Sequence, residues 1–386
     1  MKIIINASSI YKGGAEQVVN SFINECRSFP ENEYHIFLCD NIMNDIDSQH
    51  FPDNFHFYLL NRRPSSSYYS LYKALNYFSE LEEKINPDVV ISTGGHGYWQ
   101  SKAPLVTGFN IPHYVYPESP YFRKISAKRK VYWKLKKAFD LRFYKKSDAI
   151  IVQTNDVKER LEKLVPRVPV HVVSNTVNGA FINPKEVPKK LPERTLNSIR
   201  LLTVSANYPH KNLDIIKDVL DELLVRGITE VFFVLTLPEK VFRSGFSDER
   251  YRNHIINVGP IPIHECPALY QECDLMFLPT LLECFSASYA EAMYMKRPIL
   301  TSDLPFARTV CQRAAVYFDP LNHSDIADNI QNLIHNRNMK NRLIKEGKEI
   351  IKQFYSPQQR AEQFLSICRS VVKNEHDTLK DVAIGV

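Results

Sequence analysis

Short apolar runs alternate with helical patterns along almost the whole chain. In the first half, residues 2–5, 34–38, 55–60, 87–92, 105–109, 149–153 and 168–173 read as strands, compact apolar runs bounded by turn residues. Gly13-Gly14 marks a turn after the first of them, and 15–26 and 71–84 carry the apolar spacing of helices. Strands that alternate with helices predict parallel sheets with crossover helices on both faces. The run 183–199 breaks the pattern, with three prolines, many charges and few large apolar residues, and reads as a linker. The alternation then restarts, with strands at 200–204, 231–235, 255–258, 275–279 and 298–300. Helices are expected at 213–226, 266–271, 287–295, 324–336 and 338–354. A last amphipathic helix, 357–373, gathers Ala361, Phe364, Leu365 and Cys368 on one side.

The expected organisation is α/β throughout. A Rossmann-like domain covers 1–182, the linker 183–199, and a second Rossmann-like domain 200–355. A helix over 356–373 returns to the first domain, and 374–386 is a flexible tail. Two such units facing each other leave a cleft at the carboxyl ends of their strands, where ligands of open sheets bind. A chain of 386 residues suits two domains of this kind, and 44% hydrophobic residues fill two cores. Nothing near Met1 resembles a secretory signal, and no apolar run approaches the roughly 20 residues of a membrane span. A cytoplasmic protein is expected. The seven cysteines are scattered, with no CxxC pair and no zinc-finger spacing, so no metal and no cofactor is expected. Neither G-x-G-x-x-G nor G-x-x-x-x-G-K-[ST] occurs, which argues against a dinucleotide-dependent dehydrogenase and against a P-loop enzyme.

Candidate chemistry concentrates between Leu278 and Met293. Glu283 follows a strand and a short loop, and Glu291 comes eight residues later. Ser286 is a reasonable N-cap, which puts Glu291 in the second turn of a helix whose first amides form a seat for a pyrophosphate. A carboxylate repels phosphate but accepts hydrogen bonds from vicinal hydroxyls, so two glutamates flanking a helix start fit a sugar–pyrophosphate–ribose ligand. Spacing alone fits exposed acids equally well. Lys211 follows a predicted strand, before a helix that Asn212 can cap, and can neutralise a leaving diphosphate there. His113 lies just past the strand at 105–109, and His96 in Gly94-Gly95-His96-Gly97 is its rival, better suited to an acceptor. Gly14, lacking a side chain, permits close approach of backbone to a phosphate or acceptor.

Ordered landmarks carry a resemblance beyond spacing. Glu283-Cys284-Phe285-Ser286, then Glu291-Ala292-Met293, preceded by Asp274-Leu275 and Pro279-Thr280, resembles the E-x7-E region of family 4 glycosyltransferases. Gly13-Gly14-Ala15-Glu16, Ser147 to Val152 and Val258-Gly259-Pro260-Ile261-Pro262 match further family landmarks. The resemblance implies the GT-B fold and a retaining transfer of a hexose from a GDP- or UDP-sugar. The acceptor would be a glycan or lipid-linked glycan, in bacterial surface polysaccharide synthesis. It also implies that Glu291 binds the donor ribose, and that Glu283 with the amides of Cys284, Phe285 and Ser286 holds the transferred sugar. Lys211 would serve the diphosphate and His113 the donor sugar, with no metal. The family usually has glycines at 284 and 286, and an arginine where this chain has Ala206. Two alternatives share these residues: a nucleotide-sugar epimerase of the same fold, and a non-catalytic carbohydrate-binding or scaffold subunit.

Charge adds one feature. Between Phe122 and Lys146 lie eleven basic residues against Asp140 alone, in a chain whose formal net charge is +6. Arg123, Lys124, Lys128, Arg129 and Lys130 open that stretch, and Tyr132, Trp133, Leu135, Phe139 and Phe143 interleave it. The stretch reads either as a solvated helix with an ordinary core stripe or as a peripheral contact with an anionic membrane surface. No nucleic-acid module accompanies it.

Overall fold

In a computed structural model describing residues 1–10, 14–39, 50–60, 64, 68–97 and 99–384, the apolar runs form two all-parallel sheets. The first is built from β1 (Lys2–Asn6), β2 (Glu33–Cys39), β3 (Phe55–Leu60), β4 (Val89–Ser92), β5 (Leu105–Gly108), β6 (Ala149–Val152) and β7 (Val170–Val172). Its strands lie in the order β3-β2-β1-β4-β5-β6-β7. The second comprises β8 (Ile199–Thr203), β9 (Val231–Leu235), β10 (Ile255–Asn257), β11 (Leu275–Leu278), β12 (Ile299–Ser302) and β13 (Ala315–Phe318), in the order β10-β9-β8-β11-β12-β13. Central strands such as β4 and β6 are buried at every position, as strands covered by helices on both faces must be. In each sheet the order reverses beside its first strand, between β1 and β4 and between β8 and β11, the topological switch of a doubly wound sheet.

The chain divides into two compact units. The first takes Met1–Val115, Ser126–Thr176 and Tyr355–Val386; the second takes Tyr116–Ile125 and Val177–Phe354. Residues 116–125, which the sequence reading gave to the first domain, are thus held by the second. Ser119 Oγ donates to the Leu281 carbonyl at 2.6 Å, and the Tyr116 ring meets Phe306 edge-on. The stretch read as a linker has no regular element up to β8, yet it is fastened. Glu272 accepts from the amides of Lys190 and Leu191, and Arg194 pairs with Asp274 at 2.9 Å.

Helix Pro357–Ile384 runs well past the end expected for it, through part of the stretch read as a tail. It completes the first unit. Ala361, Leu365 and Cys368 are fully buried in one cluster with Ile3, Ile5, Val89 and Ile23, and Phe364 tilts against Phe22 at 4.9 Å. Arg360, almost wholly inside, donates to the Val18 carbonyl at 3.0 Å. No helix among the described residues is long and apolar enough to cross a membrane. Among the elements that escaped the sequence reading are helix Asn155–Glu162, helix Pro305–Cys311 and β13. Leu365→Ala should cost about 2–5 kcal/mol through the cavity it leaves. Urea denaturation followed by a probe in the first unit would register it as a lower midpoint.

Candidate donor site in the second unit

Two loops leave the carboxyl ends of the neighbouring strands β8 and β11, and one carbonyl joins them. After β8 the chain makes a 3₁₀ turn, Pro209–Lys211, and then Asn212 adopts left-handed backbone (φ 56, ψ 34). Asparagine tolerates that region better than most residues, because its short polar side chain bonds locally. Here its Nδ2 donates to the Pro320 carbonyl at 2.9 Å and its Oδ1 accepts from Lys124 Nζ at 2.5 Å. Asn212 therefore holds the turn instead of capping the next helix, Ile215–Val225, whose N-cap position is Asp214. After β11, the Leu281 amide donates to the His210 carbonyl at 2.7 Å. Thr280 Oγ1 lies 3.1 Å from that same carbonyl and 3.0 Å from Glu283 Oε1, and its single proton serves one of them at a time.

Across this joint Lys211 Nζ meets Glu283 Oε1 at 2.5 Å, with side chains only 14% and 12% exposed. A pair so sheltered keeps much of its attraction but also bears the cost of desolvation, so its value is in fixing position more than in net stability. His210, the residue before Lys211, has its imidazole pushed below the usual range by burial, with Lys211 adding to the effect and Glu283 opposing it. The β11 loop ends at Ser286, in the N-cap position of helix Ala287–Tyr294 (φ −99, ψ 121), although the serine side chain makes no capping bond. Cys284 and Ser286 are buried, and the Phe285 ring packs against Phe354.

Glu291 is buried in the second turn of that helix and accepts from the Tyr270 hydroxyl at 3.0 Å. Burial pushes its carboxyl up to about 7, against the opposing effects of the Tyr270 hydrogen bond and the Lys211 charge. The helix is buried on nearly every side. Small residues on it and Gly347 opposite allow the close packing, since a methyl on Gly347 would come within 3.2 Å of Met293 Cγ. The second unit thus brings together Lys211, Glu283 and Ser286, with Glu291 one helical turn deeper. Thr280, the His210 carbonyl and Tyr270 complete the arrangement. Nothing in the sequence hinted at the roles of the His210 carbonyl and Tyr270, because their partners lie 70 and 21 residues away.

The remaining candidates lie elsewhere. Gly14 opens helix Gly14–Glu25 and is exposed; a side chain there would meet nothing within 4 Å, so space does not require glycine. Gly13 lies outside the described residues. His113, on the short helix Pro112–Val115, stacks on the Trp133 ring with centroids 3.6 Å apart. His96 is buried in the first unit, its ring against Phe143 and its Nε2 3.3 Å from Asp140 Oδ1. Burial pushes Asp140 up, but hydrogen bonds from His96, Lys136 and Tyr114 outweigh it and hold the carboxyl below the usual range. His96 therefore has an interior partner in place of the open position expected of an acceptor contact. Next to it Gly97 does require glycine: its φ is +61, and a Cβ would meet Asn6 Nδ2 at 2.6 Å.

The basic stretch is two helices. Arg123 and Lys124 end the short helix Tyr121–Lys124 of the second unit, where Lys124 is committed to Asn212. Lys128, Arg129 and Lys130 begin helix Ala127–Tyr144 of the first unit, capped by Ser126, which accepts from the Arg129 amide. Along that helix Val131 (56%), Tyr132 (46%), Leu135 (66%) and Phe139 (46%) stay exposed, so the apolar stripe is not an ordinary core stripe.

Comparison with known proteins agrees with this geometry. Residues 12–180 match Glycosyltransferase Family 4, and residues 184–350 match Glycosyl transferases group 1. The two matches together take in most of the chain, which belongs to the family 4 glycosyltransferases of the GT-B type. An O-antigen chain mannosyltransferase of Salmonella typhimurium is 23% identical over 224 residues, 55% of this chain; the match spans 58% of that relative's length. Sucrose-phosphate synthase from Thermosynechococcus elongatus superposes with a TM-score of 0.75 at 14% identity, covering 97% of this chain and all of that one. Anabaena HepE, solved with UDP-glucose, superposes at 0.71 and 14% identity, over 96% of this chain and 100% of its own. At these identities the likeness carries the fold, GT-B, and not the ligand.

A raised carboxyl makes stability depend on pH. Glu291 favours its protonated form in the folded state, so its contribution is full below about 4.5 and is lost as pH rises through about 7. Glu291→Gln should be close to the parent in stability at pH 4.5 and more stable than the parent at pH 8, by about 3 kcal/mol. Melting temperatures across that range would check it; parallel curves for parent and variant would refute the assignment.

Proposed function

We propose that this protein is a retaining glycosyltransferase that moves a hexose from a GDP- or UDP-sugar to a glycan or lipid-linked glycan acceptor. The observation that carries the reading is the sheltered Lys211–Glu283 pair at the switch point of the second sheet, with Glu291 buried behind the helix start. Family membership supports the reaction class, and the mannosyltransferase relative supports a hexose and a surface-polysaccharide acceptor.

On this reading Glu291 accepts hydrogen bonds from the ribose hydroxyls, and Glu283 with the backbone at Cys284, Phe285 and Ser286 holds the transferred sugar. The bond from the anomeric carbon to the diphosphate oxygen breaks first, leaving an oxocarbenium-like centre. Lys211 takes up the departing negative charge, so the step asks for no divalent ion at this site. The acceptor oxygen bonds to the anomeric carbon on the same face, and its proton passes to the leaving phosphate oxygen. Ala206 supplies no second cation. His113, already stacked on Trp133, is a further proposed contact to the sugar. Gly14 and His96 are weaker proposals on the acceptor side, given the exposure of one and the burial of the other.

Helix Ala127–Tyr144 supports a peripheral position on the inner face of a membrane. Its exposed apolar residues are flanked by cations, and each basic residue near an anionic surface adds about 1 kcal/mol.

Lys211→Ala should lower kcat roughly 10²–10³-fold, with a smaller change in KM. In the same preparation GDP- and UDP-sugars, screened by thermal shift, should raise the Tm, and Glu291→Ala should abolish that protection. Absence of protection by any nucleotide sugar, with product formation unaffected by Glu291→Ala, would favour a scaffold. C2 inversion of a UDP-sugar without acceptor would point to an epimerase. For the membrane, the protein should float with vesicles containing anionic lipid, and Leu135→Glu should reduce flotation. Equal partitioning onto neutral vesicles would rule the membrane reading out.

A further inference from the structure

At the edge of the first sheet, far in sequence from the site of the second unit, β2 and β3 bring three ligand-type side chains onto one face. His35 and His56 are direct partners in the parallel register of β2 and β3, and Glu33 precedes His35 by two residues on the same face. Glu33 Oε1 lies 3.0 Å from His35 Nε2 and 3.4 Å from His56 Nε2, and the three ligand atoms all fall within 4.8 Å of one another. Ligands bound at about 2.0–2.1 Å around a tetrahedral ion are separated by about 3.3 Å, so both carboxylate–imidazole separations already match the edges of such a polyhedron.

We propose that Glu33, His35 and His56 form a binding site for a divalent transition ion of the zinc type. Two imidazoles and a carboxylate are a zinc donor set, and three protein ligands leave a fourth position for water. His56 and Glu33 are 42% exposed at the side chain, which gives an ion a path in, while His35 is buried and rigid. The arrangement behind the ligands is what separates this trio from a chance cluster. His35 Nδ1 is 3.0 Å from the Tyr58 hydroxyl, on the same strand as His56, and the two rings stack. A metal-binding histidine characteristically engages its other nitrogen in this way, which sets the tautomer and the ring orientation. In the ion-free state the Glu33 carboxylate can only accept, so His35 Nε2 carries the proton. With the ion bound, Nε2 offers its lone pair and the proton resides on Nδ1, donated to the Tyr58 oxygen; the imidazole stays neutral throughout.

An ion here would clip β3, the edge strand of the sheet among the described residues, to β2. Calorimetric titration of chelator-stripped full-length protein with ZnCl2 should give one ion per chain and a Tm raised by several degrees. Co²⁺ should yield the visible d–d bands of a low-coordinate nitrogen/oxygen site. His56→Gln and Glu33→Gln should each remove that equivalent and its bands. Tyr58→Phe, which keeps the ring, should weaken zinc roughly 10- to 100-fold. No zinc binding by the parent, or unchanged stoichiometry and affinity in His56→Gln, would overturn the proposal.

Discussion

The second unit is organised around the His210 carbonyl and the charge pair beside it. One backbone oxygen accepts from the loop after β11, and one lysine, the next residue, binds the carboxylate at that loop's far end. The two strands that bracket the topological switch are thereby locked at their ends as well as along their ladder. A bare cation or a bare carboxylate in so sheltered a place would be costly, and paired they are affordable only because Thr280 and the turn fix the geometry. The arrangement is poised without being neutralised for good. On the proposed function, a diphosphate would compete for Lys211 and a sugar hydroxyl for Glu283, so a ligand would replace each partner with something equivalent.

Residues 116–125 extend the same joint from another part of the chain. Ser119 holds the Leu281 carbonyl, the Tyr121 ring approaches His210, and Lys124 reaches Asn212. A segment that leaves the first sheet and fastens to both loops of the second unit makes the site sensitive to sequence far from its own motifs. Asn212, in left-handed backbone, is where this fastening and the turn meet.

Much of this was legible in the sequence. Strands buried on both faces are written as unbroken Val/Ile/Leu runs, and Lys211, Glu283 and Glu291 stand out because their loops follow such runs. Half-buried elements were not legible: β13 spans four residues and is only partly buried at its two middle positions, and helix Asn155–Glu162 is largely polar. Asn212 illustrates a deeper limit. An asparagine after a turn reads as a cap, and only tertiary partners, Pro320 and Lys124, give it a different task. The interior partner of His96 was hidden likewise, because Asp140 lies 44 residues away in the basic stretch. The Glu33–His35–His56 trio was invisible for a related reason, since strand register and not sequence spacing makes those residues neighbours.

The helix that closes the first unit has a consequence for biosynthesis. Its apolar face belongs to the same cluster as β1 and β4, yet it is translated only after the entire second unit. At ribosomal rates of about 5–20 residues per second, the amino-terminal sheet waits on the order of 10 s or longer with that face bare. The usual order, in which the first domain made is the first to finish folding, cannot hold for this chain. Its second unit can be complete while the first still awaits its final piece, and quality control during synthesis bears chiefly on the earlier half.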